Sequence, residues 1–175
     1  MKRSLIALVA LGLFAVGCEQ TEPTMPDSLG LMPQANTGPV LSRAYVGSPD
    51  AFGPGGDANF SLIALAKADG SVTGQYHDQF AGGVGVHIAV DCLTIVGNEA
   101  WVSGVITNSR LEFLLGRAAA TRVADNGRSA NDPADQISFT FIGGGFGLPD
   151  DFTCGDTPDF PLQDVSEGQV VVVSS

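Results

Sequence analysis

The stretch SVTGQYHDQFAGGVGVHIAVDC, residues 71–92, decides the fold class. From Ser71 to Phe80 polar and apolar side chains alternate, with Val72, Tyr76 and Phe80 on one face and Thr73, Gln75, His77 and Gln79 on the other. A period of two is that of a strand with one buried face. After Ala81-Gly82-Gly83 the alternation resumes and puts Val84, Val86, Ile88, Val90 and Cys92 together. The two apolar sets must share one core, and a slip of one residue would turn every side chain over. A three-residue loop at 81–83 meets that condition and sets His77 directly opposite His87.

Working outward, Asn59 to Lys67 reads as a strand ending at Asp69-Gly70, a dipeptide favoured in tight hairpins. Leu93 to Val96 runs into Gly97-Asn98, a second turn signal, and Ala100 to Thr107 returns. Gln136 to Ile142 and Gln169 to Val173 close the series, and Leu41 to Val46 adds an edge strand. Arg110 to Ala119 also fits a helical stripe through Leu111, Leu114 and Leu115, but Gly116 and its neighbours favour a strand. The expectation is an all-β chain: one antiparallel β-sandwich or barrel of about seven to eight strands over residues 57–175.

Composition agrees. Of 175 residues, 44% are apolar and 15% charged, which excludes a largely disordered chain and a charged coiled coil. The formal charge of −11 opposes any partner held through its phosphates, so nucleic acid is excluded as a partner.

The N-terminus reads as an address. Lys2 and Arg3 precede Leu5 to Val16, a run of 12 residues, against roughly 20 needed to span a bilayer as a helix. That is the form of a signal peptide, residues 1–17. Ala15-Val16-Gly17-Cys18 resembles the lipobox of bacterial lipoproteins, although Ala15 stands where that family favours Leu. The resemblance implies diacylglycerol on Cys18. Ala15 and Gly17 also suit ordinary secretory cleavage, which leaves a secreted chain as the alternative. Removal of Lys2 and Arg3 leaves six basic against nineteen acidic residues, a mature charge of −13. Residues 18–56, which hold six of the ten prolines, read as a tether.

Cys92 and Cys154 remain once Cys18 is set aside. An even pair in an oxidising compartment reads as a disulfide, the alternative being two buried thiols. Such a bridge closes about 60 residues, worth roughly 3–4 kcal/mol in the chain-entropy model.

Four places could carry chemistry. His77 and His87 opposed across a ladder, with Asp91 nearby, suit Zn²⁺ or Cu²⁺; the plainer reading is a solvated polar face. Asp125, Asn126, Asp132 and Asp135 offer the hard oxygens that Ca²⁺ prefers, without EF-hand spacing and with Arg128 among them. Asx-rich segments between strands also serve simply as turns. Asp150, Asp151, Asp156 and Asp159 form a similar cluster. Trp101, the single Trp, suits either a ligand-stacking platform or the core. No catalytic motif is present: neither a nucleophile elbow nor a paired-His metalloprotease signature occurs, and the glycine run 143–147 lacks the context of a phosphate loop.

The segments NFS (59–61), DGSVTGQ (69–75), CLTIVGNEAW (92–101) and DQIS (135–138), in that order, resemble a group of small secreted bacterial β-domains of uncharacterised function. Members are often lipid-anchored or follow cell-surface anchoring domains. The resemblance covers most of residues 57–142 and implies an all-β fold outside the cytoplasm, with no activity attached. The expected function is a lipid-tethered, non-catalytic domain of the cell envelope, held at a bacterial membrane by its lipid, with an envelope protein or glycan as partner. A domain binding Ca²⁺ or Zn²⁺ is the alternative.

Overall fold

The computed structural model describes residues 39–48, 59–80, 83–127, 129 and 131–175. The expected signal peptide, residues 1–17, Cys18, most of the expected tether over residues 18–56 and Arg128 lie outside the described residues. The strands are β1 (Val40–Ser48), β2 (Asn59–Lys67), β3 (Val72–Phe80), β4 (Val84–Val96), β5 (Glu99–Ser109), β6 (Ala118–Ala124), β7 (Gln136–Ser138), β8 (Phe141–Ile142), β9 (Leu162–Asp164) and β10 (Gln169–Val173). They form one antiparallel sheet, in the order β10-β1-β2-β3-β4-β5-β6-β7-β9, with the short β8 pairing β6 beside that path. The sheet curls into a half-barrel.

The alternation read from residues 71–92 is realised as register. Phe80 pairs Val84, His77 pairs His87 and Tyr76 pairs Ile88. Tyr76, Val86 and Ile88 are buried in the concave core with Phe60, Leu62, Val102, Ile106, Val123 and Ile137. Burying one such side chain contributes about 1.5–3 kcal/mol, so this face fixes the register.

The curl has a local cause. One row across the sheet reads Ala44, Ala64, Gly74, Val90, Gly104, Ala119. A Cβ on Gly74 would stand 2.0 Å from the Ile63 carbonyl oxygen, and one on Gly104 would stand 2.0 Å from that of Ala89. Small residues on this line let neighbouring backbones close up, the device by which sheets bend into barrels.

Three expectations change here. Arg110 to Gly116 is not strand: β5 ends at Ser109 and a 3-10 turn, Glu112–Leu114, leads to β6. Cys92 leaves the core face of β4. Val90 pairs Gly104 and Cys92 pairs Ser103, so Asp91 is an extra residue in β4. Such a bulge reverses the alternation beyond it. Leu93 and Ile95 consequently pack on the concave core, while Cys92 and Thr94 pair with Ser103 and Trp101 on the outer face. The Leu41–Val46 strand is also not an edge, since β1 lies between β2 and β10.

That outer face carries a second small core. Trp101, Ala120, Leu148 and Phe160 are buried together, with Phe141 and Phe152 against them. The covering segment is bound by the Cys92–Cys154 disulfide, with 5.7 Å between Cα atoms. Trp101 Nε1 donates to the Pro158 carbonyl at 2.8 Å. Arg122 stacks over Trp101 at 5.1 Å, forks onto Glu99 at 3.0 and 3.1 Å, and reaches Asp159 at 2.6 Å.

Candidate functional site

The register that buries Tyr76 and Ile88 places His77 and His87 on the opposite, outer face. Their rings stack with centroids 4.1 Å apart and planes within 14°. An extra residue in β5, Thr107, lies between the pairs His87–Asn108 and Ile88–Ile106, and its hydroxyl donates to the His87 carbonyl at 3.2 Å. The bulge brings Asn108 beside the pair. A groove of about 440 Å³ runs over β2 to β5, lined by Ser61, Ile63, Gln75, His77, His87 and Asn108. A second, of about 310 Å³, shares both histidines and continues to Gln79, Ser109 and Arg110.

The electrostatics of the pair follow from the stack. Partial burial, and then the charge of His87, lower the His77 pKa below the ordinary imidazole value. A doubly protonated pair at this separation is therefore disfavoured. Stacking also bears on metal binding, because imidazole lone pairs lie in the ring plane. Two parallel rings aim theirs side by side, so one must turn before both meet one ion. Asp91, the carboxylate expected to help, is the exposed bulge residue. Among the described residues no group of three or more His, Cys, Asp or Glu is gathered for a metal.

The acidic loop is built for another task. Asp135 accepts the Asn126 amide at 2.9 Å through one oxygen and the Val170 amide at 2.7 Å through the other. Asp125 accepts the Val172 amide at 3.0 Å. Asp132 accepts the Ser129 amide at 2.8 Å, and Asn126 bonds Asn98 and the Ala134 carbonyl. Val170 and Val172 alternate along the outer edge of β10, so two carboxylates satisfy amides that a further strand would otherwise take. Asp125 and Asp135 thus fasten β10 to the start and end of the loop, and Asp132 and Asp135 also line an open cavity of about 420 Å³ with Ser129 and Gln169. In the second acidic cluster, Asp156 caps Thr153 and Asp159 pairs with Arg122.

Trp101, 6% exposed, belongs to the second core and is not a stacking platform. The sequence reading passed over Asp78, which is 0% exposed on the concave face. Its Oδ2 accepts the hydroxyls of Thr140 and, at 3.3 Å, Tyr76. Its Oδ1 has no hydrogen-bond partner among the described residues. Burial, partly opposed by the bonds from Thr140 and Tyr76, pushes the carboxyl up to about 7. Burial and the Asp78 charge likewise hold the Tyr76 phenol well above its ordinary range. The signal was available: Asp78 stands two residues from Tyr76 on the same alternating face.

Comparison of the chain with protein-family models, with curated proteins and with solved structures gives no match.

Proposed function

We propose that the chain is a lipid-tethered, non-catalytic binding module of the bacterial cell envelope, attached through Cys18 and binding through the His77–His87 groove. The observation that carries the reading is the Cys92–Cys154 disulfide, which clamps a 62-residue separation across the second core. Disulfides of this structural kind persist in oxidising compartments, in keeping with the leader and Cys18. The groove supports binding because Gln75, Asn108 and two imidazoles present donors and acceptors on a rigid sheet. An envelope glycan or protein is its partner. Of the two expected forms, sandwich and barrel, the curl of the sheet into a half-barrel favours the barrel.

Phase partition of the full chain tests attachment. Wild type should enter the detergent phase and Cys18→Ser the aqueous phase; wild type in the aqueous phase would refute lipid attachment. A second reading, favoured by the two imidazoles 4.1 Å apart, is a divalent-ion site at His77 and His87. At one hundred times its Kd, Zn²⁺ would then add about 2.7 kcal/mol and raise Tm by several degrees. His77→Ala should abolish the shift, and coincident melts with Zn²⁺ and EDTA would refute the site.

A further inference from the structure

Where β5 passes to β6, the tip of the half-barrel presents apolar side chains that neither core uses. Phe113 is 54% exposed, Phe146 50%, Leu115 46% and Leu111 37%. They come from two separate loops, yet they are held together. The Phe113 and Phe146 rings stack at 5.9 Å, and the Arg117 guanidinium lies 5.5 Å over Phe146. Arg117 donates to the carbonyls of Phe113 at 2.7 Å, Gly143 at 3.0 Å and Gly144 at 3.2 Å. Gly144, at φ 76°, leaves the room this needs, since a Cβ there would stand 1.7 Å from an Arg117 nitrogen. One cation thus ties both loops and keeps two rings facing solvent.

The charge of the tip differs from that of the domain. The 110–117 segment holds Arg110 and Arg117 against one acid, Glu112. Among the described residues both ion pairs belong to Arg122, so neither arginine of the tip has an acidic partner. Asp69, Glu99, Asp125 and Asp135 cluster at the other end of the strands. The 11 residues of β5 separate the ends by roughly 35 Å at about 3.3 Å per residue. That is several Debye lengths of about 8 Å, so an approaching surface meets the tip's own charges, Arg110 and Arg117 beside the rings and the exposed Asp150 and Asp151 beyond Leu148.

We propose that this tip is a membrane-contact surface, placing Phe113, Phe146, Leu111 and Leu115 in the interfacial layer of an anionic bilayer with Arg110 and Arg117 on its headgroups. Apolar burial combined with attraction to anionic lipid is the chemistry of peripheral attachment. The inference is independent of lipid on Cys18. If both hold, the tip supplies the second signal that firm anchoring requires.

The test uses the full chain carrying Cys18→Ser, with vesicles of phosphatidylcholine containing one-third phosphatidylglycerol. In the Phe113→Trp variant, emission should shift to the blue on vesicle addition and be quenched by bromine-labelled lipid chains. The Ile63→Trp variant, on the exposed outer face of β2, should do neither. The position-specific readout separates contact by the tip from attachment through the N-terminal residues. The Phe113→Ser/Phe146→Ser variant should lose at least tenfold in vesicle affinity, and Arg110→Gln about fivefold. Absence of quenching at position 113, or equal quenching at position 63, would overturn the proposal. A blue shift at position 113 that grows with protein concentration before vesicles are added would assign the patch to a second copy of the chain, and would also overturn it.

Discussion

Replacing Asp78 with asparagine should remove a pH dependence of stability whose sign is opposite to that usual for a carboxylate. Asp78 is 0% exposed and its carboxyl is raised to about 7, from 3.8 in the unfolded chain. Between those values the native state holds a proton that the unfolded chain has released. Stability is then fully present below about pH 4 and falls as pH rises, by about 1.4 kcal/mol per unit. The decline ends near pH 7, where Asp78 ionises in the native state as well, and totals about 4 kcal/mol. Asparagine keeps the shape, and its amide can still meet the hydroxyls of Thr140 and Tyr76. Urea unfolding of both proteins from about pH 4 to pH 8 gives the difference curve, in which the other carboxylates cancel. Asp78→Asn should gain on the wild type as pH rises through 4 to 7, and the gain should level off above. A difference curve flat to within about 1 kcal/mol would refute the reasoning, because burial of an ionisable carboxyl cannot be independent of pH.

Gly104→Ala should destabilise by about 3 kcal/mol, since its Cβ meets the Ala89 carbonyl, whereas Gly70→Ala meets nothing within 4 Å and should cost about 1 kcal/mol; chemical unfolding separates them. Reducing the disulfide, or Cys154→Ser, should cost about 4 kcal/mol by the chain-entropy relation, with Trp101 emission moving to the red as the covering segment lifts. Asp135→Ala removes the acceptor for the Asn126 and Val170 amides and should cost about 3 kcal/mol. Hydrogen exchange at Val170 should speed up, while Tm should stay unaffected by Ca²⁺ in both proteins; unchanged exchange would refute the fastening role.

The alternation around residues 71–92 was enough to define a half-buried antiparallel sheet and the pairing of His77 with His87, since each depends on a local period or on a parity rule that one hairpin already satisfies. The pair Cys92 and Cys154 came instead from counting cysteines, with Cys18 set aside. Bulges escape such reasoning. Asp91 and Thr107 are ordinary strand residues in sequence, and only pairing with a neighbouring strand shows that they are supernumerary. The parity reversal at Asp91 therefore decided that Cys92 faces Cys154 and that Trp101 lies under a covering segment. The uses of Asp125 and Asp135 were likewise hidden, because their partners, Val172 and Val170, are 47 and 35 residues away. A run of acids looks alike whether it surrounds an ion or caps an edge strand. The sequence by itself determined the strand period and the composition of each face, which are properties of adjacent residues. Curvature, the row from Ala44 to Ala119, the second core and the aromatic tip were decided by tertiary structure, because each is made by segments that meet only once the strands have paired and the sheet has curled.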